Sequence, residues 1–425
     1  MMPYLNWKVA LLILLASFCC RSVAAQKSLT SEQFTADFDA MWAGLRDGYA
    51  YFHTKETDWN RVRELYLPQV AAVKSERDFI PLLERMLEEL YDPHSNLNTN
   101  LGTSPRLVPT GLDLWAEWIK GRAVITQLRT GFSAEQAGLK VGMEIVSING
   151  VPIQAAVVRR LPRSLKRVNA DVKNWALRAV LAGTHDQRRV IEARDRRGGV
   201  TAYRLDLLTH TTVDAYEYTP KVEWKMLPQQ IGYIKINDLI SEEIVVQFDA
   251  ALESVRTSRG LILDLRDIPR GGNTDVAEPI LGRFIDRQMG YQQVVPLHEP
   301  AYIREVAPRG EWTFRAPMVV LVNHWTGSMA EGMAIGLDGM HRATVVGTHM
   351  AGLNGGIFNL KLPNTEIGVN YAGERLNHVN GTPREKFVPT VSVNLLDKRW
   401  DHVQDPILDA GYKRLSQYIG DRLSQ

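Results

Sequence analysis

Three short runs of apolar residues constrain the fold of this chain most strongly. Residues 231–236, 261–265 and 318–322 are almost wholly apolar, without a regular alternation of apolar and polar side chains. Such runs are typical of strands that are covered on both faces, as in a parallel sheet. Helical apolar spacing follows each run, as in the helix predicted from Ser328. The region from residue 231 onward is therefore expected to be an α/β core with parallel strand pairs.

The chain is long enough to hold further domains before this core. It has 425 residues, and globular domains usually contain about 100–200 residues. Apolar residues recur at three- and four-residue steps between Ser31 and Leu90, which predicts helices, whereas short alternating runs after Pro105 predict strands. We expect a multidomain α/β protein with an N-terminal helical domain (residues 26–104), a β domain (105–210) and the α/β core (211–425).

The first 25 residues are typical of a cleaved secretory signal. Lys8 precedes an apolar run over residues 9–18, which is shorter than the roughly 20 apolar residues that span a bilayer. Cleavage after Ala25 would also remove Cys19 and Cys20, the only two cysteines. The mature chain would then have no cysteine nucleophile, disulfide or Cys-ligated zinc, which suits a bacterial periplasm. The alternative is an N-terminal membrane anchor.

Composition excludes several classes of function. The chain is 45% hydrophobic and 23% charged, which is typical of soluble globular proteins. Its 50 Lys and Arg residues balance 48 Asp and Glu residues without a long basic block, so nucleic acid is not expected as a partner. No HExxH motif, phosphate-binding loop or dinucleotide fingerprint occurs, and we expect no metal site and no cofactor. No run after the leader is long enough to span a membrane.

Ser328 is the candidate nucleophile. It follows the apolar run 318–322 and begins a predicted helix, where free N–H groups and the helix dipole stabilise negative charge. Ser328 and Glu331 also form the pattern of a capping box, which by itself describes a serine without a chemical role. Gly272, in the Gly-Gly turn after the run 261–265, allows a backbone N–H to approach a ligand closely. The N–H groups of Gly272 and Met329 are the expected oxyanion hole.

Residues 133–150 carry a second recognisable pattern. A short helix ends at Gly138, and a strand then leads into an Asn149-Gly150 turn. This segment resembles a PDZ domain over residues 105–210. The resemblance implies that the N–H groups of Gly111 and Leu112 receive the terminal carboxylate of a peptide, which adds as an extra strand. The alternative is a small β domain that only packs against its neighbours.

Three motifs in the core resemble the tail-specific, carboxy-terminal-processing serine peptidases. They are DLRDIPRGGN at 264–273, TGSMAEGMA at 326–334 and TVVGTHMAG at 344–352. The resemblance covers about residues 30–395. It implies a ClpP/crotonase-like core and a serine endopeptidase that forms an acyl-enzyme on Ser328. Its partners would be polypeptide substrates, and no oligomeric state is implied.

The group that activates Ser328 departs from the best-known branch of this family. That branch uses a lysine at the position of Leu353, and leucine cannot accept a proton. The tricorn-like branch has a histidine in an N-terminal loop and a glutamate near the end of the chain. The resemblance therefore implies His94 as the base and Glu385 as the group that orients it. Asp92 is a second candidate for the orienting role, because Pro93 stands where tricorn has a serine with a side-chain donor.

Other readings stay open at this point. His324, His349, Lys361 and Lys386 are alternative bases, of which the two histidines lie nearer Ser328 in sequence. The chain could also be a non-catalytic peptide- or lipid-binding protein on the same scaffold, to which the retinoid-binding repeats are similar. The retained serine, histidine and glycine favour the enzyme, since a binding protein does not need all three.

Overall fold

The computed structural model describes residues 29–207 and 220–423. The expected signal segment, residues 1–25, and the expected domain boundary at residue 210 lie outside these residues. Among the helices of the described ranges, none has both the length and the apolar character needed to cross a bilayer.

Three N-terminal helices confirm the helical periodicity. They are α1 (Ser31–Gly48), α2 (Trp59–Val70) and α3 (Glu76–Glu88). Thr30, Asp58 and Ser75 cap their N-termini by accepting backbone N–H bonds. Their apolar faces share one core with Leu362, Ile367, Val369 and Ala372 from the far end of the chain. The helices therefore pack against later strands rather than only against one another.

The β domain combines antiparallel strands with two long helices. In chain order after β1 (Asn96–Leu97), its elements are β2 (Leu114–Ile119), β3 (Arg122–Leu128), α4 (Ser133–Gln136), β4 (Glu144–Ile148), β5 (Val151–Pro152), α5 (Ile153–Arg160), α6 (Ala170–Ala182), β6 (Arg189–Arg194) and β7 (Val200–Leu205). The sheet order is β2-β3-β4-β6-β7, with β5 beside β4. Helices α5 and α6 were not expected from the sequence. Strand β2 lies at an edge of this sheet, beside α6.

The C-terminal half contains two sheets. Its elements are β8 (Val222–Leu227), β9 (Ile231–Ile236), α7 (Glu243–Ser254), β10 (Gly260–Asp264), α8 (Thr274–Leu281), β11 (Met289–Pro296), β12 (Tyr302–Val306), β13 (Met318–Val322), α9 (Met329–Gly339), β14 (Ala343–Gly347), β15 (Gly356–Lys361), β16 (Gly368–Asn377), β17 (Val391–Ser392) and α10 (Pro406–Leu423). The first sheet has the order β17-β14-β13-β10-β9-β8. Its strand pairs are parallel except β8 and β9.

The parallel sheet is buried on both faces, as its apolar runs predict. Leu261, Leu263 and Val320 face the core that contains α7, α8 and α9. The alternating residues Ile262 and Val319 face the core that contains α10. The expected α/β core is therefore confirmed.

The second sheet joins the N-terminal helices to this core. Its order is β1-β16-β11-β12, with β15 also paired to β16, and these strand pairs are antiparallel. Residues of β16 form part of the core under α1, α2 and α3. The loop between α3 and β1, which carries His94, is thereby held beside the C-terminal half of the chain.

Two loops meet at the carboxyl ends of β10 and β13. Ile268 and Thr326 form a parallel bridge between them, and the N–H of Gly327 donates to the carbonyl of Ile268 at 3.1 Å. Because parallel strands end at one edge of a sheet, this register brings the Gly271-Gly272 turn to the start of α9.

Candidate active site

Ser328 occupies a strained turn between β13 and α9. Its backbone angles are φ 52° and ψ −113°, a conformation that residues other than glycine rarely adopt. Its N–H donates to Glu331 Oε2 at 2.8 Å, and the residue is half-buried. The turn places a serine hydroxyl at the positive end of a buried helix.

Gly271 lies directly against this serine. It has φ 69°, and a Cβ at this position would lie 2.4 Å from Ser328 Cβ, 2.9 Å from Ser328 Oγ and 3.0 Å from Met329 N. Glycine is therefore required here both for its backbone conformation and for the space beside the hydroxyl. The Gly-Gly motif predicts a role for Gly272 but does not reveal this contact of Gly271 with Ser328.

Two backbone N–H groups beside the serine have no acceptor. Within the described residues, the N–H groups of Gly272 and Met329 donate no hydrogen bond. Gly272 forms a parallel bridge with Leu239, in which the N–H of Asn273 donates to the Leu239 carbonyl at 3.1 Å. Unpaired N–H groups next to a nucleophile are suited to an oxyanion.

Glu331 connects the serine turn to a second loop. Its carboxylate is fully buried and accepts the N–H of Ser328 at 2.8 Å, of Gly352 at 2.9 Å and of Leu353 at 3.2 Å. Burial raises its pKa to about 7, against the opposing effects of Arg384 and of the three N–H groups. The residue does more than cap its own helix.

His94 is bound to the same loop. Its Nδ1 lies 2.5 Å from the carbonyl oxygen of Asn354. A carbonyl can only accept, so Nδ1 carries the proton of the neutral ring and Nε2 keeps a lone pair. Burial lowers the pKa of His94 to about 4, and the positive charge of Arg384 adds to this effect. The ring is therefore neutral at pH 7.

Arg384 holds the loop from its other side. Its Nη2 donates to the carbonyls of Leu353 at 3.0 Å and Gly355 at 2.9 Å. Residues 352–355, which we call the linking loop, thus contact the serine turn through Glu331 and the His94 ring through Asn354. Ser328 and His94, distant in sequence, are attached to one structural unit.

Comparison with known proteins indicates the class of enzyme to which this chain belongs. Residues 230–393 match peptidase family S41, and residues 30–88 match the tricorn protease C1 domain. A carboxyl-terminal-processing protease of Synechocystis is 25% identical over 344 residues, which cover 75% of this chain and 71% of that protein. A chloroplastic C-terminal processing peptidase of Tetradesmus obliquus is 23% identical over 336 residues, with coverages of 77% and 69%. The chain is a serine-type peptidase.

A solved structure shares the fold of the peptidase across nearly its whole length. The crystal structure of mature CPAF superposes with a TM-score of 0.61 at 15% identity, covering 92% of this chain and 96% of that one. The likeness concerns the course of the backbone. It includes the N-terminal helices and the β domain as well as the core.

The two carboxylates expected to orient the base do not contact its ring. Nδ1 of His94 is bound to Asn354 instead. Asp92 accepts the hydroxyl of Tyr49 at 2.8 Å and the backbone N–H of His94 at 3.0 Å. Glu385 Oε2 is buried without a hydrogen-bond partner among the described residues, and burial raises the pKa of this carboxyl. A backbone carbonyl therefore fills the position in which the sequence predicts a side chain.

Three of the four alternative bases, His324, His349 and Lys386, line the same cleft as Asn354 and Gly352. His324 is buried and stacks on Trp115 with a centroid separation of 4.5 Å, and His349 is exposed. Lys361 pairs with Glu366 at 3.0 Å and Lys386 with Asp171 at 3.3 Å, and both lysine side chains are 62% exposed. None of the four forms a hydrogen bond or ion pair with Ser328 among the described residues, and neither does His94. His94 differs from them in its bond to the carbonyl of Asn354 in the linking loop.

The loop expected to bind a carboxylate is closed on itself. The N–H of Gly111 donates to the Leu107 carbonyl at 2.6 Å, and that of Leu112 donates to the Pro109 carbonyl at 3.1 Å. The carbonyl of Leu112 accepts Trp325 Nε1 at 2.7 Å. Both expected donors are thus already paired, and the loop instead joins the β domain to the turn before Ser328.

Proposed function

We propose that this peptidase is an endopeptidase that cleaves peptide bonds through an acyl-enzyme on Ser328. The serine oxygen attacks the peptide carbonyl carbon while His94 Nε2 takes the hydroxyl proton. The N–H groups of Gly272 and Met329 hold the resulting oxyanion. His94 then gives the proton to the departing amine, and water hydrolyses the ester by the same steps in reverse order.

One observation carries this proposal above the others. The strained Ser328 begins a buried helix, and Gly271 leaves space beside its hydroxyl next to two unpaired N–H groups. Backbone strain and unpaired donors both cost stability, and they occur together mainly where a reaction needs them. A serine that served only as a helix cap would need neither.

The roles of the remaining site residues follow from their surroundings. The Asn354 carbonyl orients His94, which is the part that the sequence assigns to Glu385. Glu385 lines the same cleft as Asn354 and Gly352. Asp92 is the carboxylate whose negative charge acts on His94, and we assign Asp92 the role of stabilising the imidazolium that forms during proton transfer.

We further propose that the β domain is PDZ-like and presents polypeptide C-termini to the core, which we take to be ClpP/crotonase-like. A cleft lies between β2, α6 and the linking loop, and its lining includes Trp115, Arg178 and Asn354. Arg178 lies 4.6 Å from the ring centroid of Trp115 and makes no hydrogen bond or ion pair with described residues. Its guanidinium has Glu117 and Asp171 as the nearby carboxylates, and we propose it as the positive charge that receives a terminal carboxylate, in place of the paired N–H groups of Gly111 and Leu112.

The proposal also covers the location of the protein, its domain boundaries and the kind of cleavage that it performs. We propose export to a bacterial periplasm after cleavage behind Ala25, with a helical unit (26–104), a β unit (105–210) and a peptidase core (211–425). Both similar proteins named above are C-terminal processing enzymes by their descriptions. Tail-specific cleavage is accordingly the activity to test first.

Substitution of Ser328 by alanine tests the acyl-enzyme directly. Turnover of an unstructured polypeptide should fall by several orders of magnitude, as on loss of a serine nucleophile. The unfolding free energy should change by no more than the ~1 kcal/mol of a lost helix cap. Steady-state cleavage and thermal unfolding measure the two quantities. A folded Ser328→Ala protein that kept most of its activity would rule out the mechanism.

A further inference from the structure

Glu331 is a buried charged residue of the site, and the proposed reaction assigns it no role. It lies on the first turn of α9, and its side chain is fully buried. Placing a carboxylate there is costly unless its oxygens are fully hydrogen-bonded. An ordinary capping box would need only the N–H of Ser328.

The second and third hydrogen bonds reach outside the helix. Oε1 accepts Gly352 N, and Oε2 accepts both Ser328 N and Leu353 N. One carboxylate therefore spans the nucleophile turn and the linking loop. The next residue of that loop, Asn354, supplies the carbonyl that holds His94 Nδ1.

We propose that Glu331 is a positioning residue for acyl transfer, which fixes the loop that orients His94 relative to the nucleophile turn of Ser328. This inference rests on the proposed Ser328-His94 mechanism. It adds a residue that touches neither the substrate nor the reacting atoms but sets the distance between the two groups that do.

Arg384 completes the arrangement from the opposite side. It is the charged group that faces Glu331 from the segment after β16, and it binds the linking loop through the carbonyls of Leu353 and Gly355. The carboxylate thus holds N–H groups of the loop while the guanidinium holds its carbonyls. The N–H groups and the carbonyl groups of the loop are therefore held by two side chains of opposite charge.

The ionised form of Glu331 is the form that satisfies all three donors. A protonated carboxyl has one oxygen that also carries a hydrogen, so at least one N–H of the loop or the turn would face a donor. Its pKa of about 7 places this change near neutral pH. As the pH rises through that value the group ionises, and the positioning should become complete. His94, with a pKa of about 4, does not titrate in that range.

The test uses the full chain and a fluorophosphonate that reacts only with activated serines. Glu331→Gln keeps the size of the side chain but offers one acceptor oxygen and cannot ionise. We expect its labelling rate at Ser328 to fall by roughly tenfold or more, as for misplacement by about 1 Å. The wild-type rate should rise from about pH 6 to about pH 8, whereas the variant rate should stay flat over that range.

Asp37→Asn is the matched control. Asp37 is also fully buried on a helix, and it accepts the backbone N–H groups of Asn364 at 2.8 Å and Thr365 at 2.7 Å. The same chemical change there loosens a loop that does not hold the base. Its labelling rate and pH profile should match the wild type.

The outcomes separate this inference from the proposed mechanism. Absence of labelling in the wild type would overturn the mechanism itself. Normal labelling of Glu331→Gln, or a uniform loss that kept the wild-type pH profile, would overturn the positioning role alone. Should circular dichroism show that Glu331→Gln does not fold, a wild-type labelling rate that is constant from about pH 6 to about pH 8 would also overturn it.

Discussion

A single methyl group at position 271 would occupy the space in which the proposed reaction takes place. The space beside Ser328 Oγ and Met329 N is open only because Gly271 has no side chain. The positive φ of Gly271 adds a second reason for glycine. Steric exclusion and backbone strain can be separated experimentally, because the chain has other glycines with positive φ and free surroundings.

Gly271→Ala should abolish cleavage while leaving the protein folded. The new Cβ would lie 2.9 Å from Ser328 Oγ and 3.0 Å from Met329 N, so it would displace the substrate carbonyl from the oxyanion position. The left-handed backbone alone costs about 1–2 kcal/mol. Cleavage rate and thermal unfolding are the measurements.

Gly131→Ala serves as the control for backbone strain. Gly131 has φ 81° and no atom within 4 Å of an added Cβ. It should lose only about 1–2 kcal/mol for the left-handed backbone, less than Gly271→Ala, whose Cβ would also lie 2.4 Å from Ser328 Cβ, and it should keep its activity. Equal activities in the two alanine variants would contradict the place assigned to the oxyanion.

Residue types were predictable from sequence more readily than the atoms that act. Ser328 and His94 carry side chains whose chemistry is apparent, and the structure ties both to the linking loop. The partner of His94 is the backbone carbonyl of Asn354, which every residue possesses and which no side-chain pattern reveals. Glu331 was visible as the end of an S-x-x-E pattern, but its bonds to Gly352 and Leu353 depend on tertiary structure.

At the scale of elements, the strands of the core were the most predictable part. The apolar runs of β9, β10 and β13 require cover on both faces, and the structure supplies it. Helices α5 and α6 were missed, although Val172, Ala176 and Leu177 of α6 are spaced as on one helical face and are buried. The alternating runs and glycine-containing turns on either side of this segment indicate strands, which left the two helices unpredicted.

The sequence of an amphipathic helix does not show which element its apolar face packs against. The apolar faces of α1, α2 and α3 were correctly predicted, but their periodicity could not show that β16 completes their core. That packing is what holds the His94 loop against the linking loop. An element near the N-terminus thereby contributes a side chain to a site built mainly from the C-terminal half.

At the scale of the whole molecule, the β domain and the core share the cleft that leads to the linking loop. Trp325 Nε1 donates to the carbonyl of Leu112, and Trp115 stacks on His324, so two contacts attach the β domain to the turn before Ser328. Burial lowers the pKa of Arg178 to about 10, so its guanidinium stays charged at neutral pH. A substrate terminus bound there would lie beside the proposed site.

The full-length Ser328→Ala protein should prefer a peptide with a free C-terminus. Loss of a charge-assisted bond to Arg178 on amidation should weaken binding about tenfold, since such bonds contribute about 1.5–3 kcal/mol. Calorimetric titration with one apolar-ended peptide, free and amidated, measures the difference. Arg178→Leu should remove it. Equal affinities for both peptides in the unsubstituted cleft would leave the β domain as a packing unit.

The activation of Ser328 by His94 is the central claim, and site-resolved fluorophosphonate labelling tests it most directly. Intact mass and peptide mapping should show one adduct, on Ser328, in the wild type at neutral pH. His94→Ala should lose the adduct, because among the described residues no other histidine and no lysine is bound to the linking loop. Lys361→Ala and Lys386→Ala should keep it, since both lysines lie in exposed ion pairs. Labelling of His94→Ala at the wild-type rate, or its loss in either lysine variant, would contradict the account.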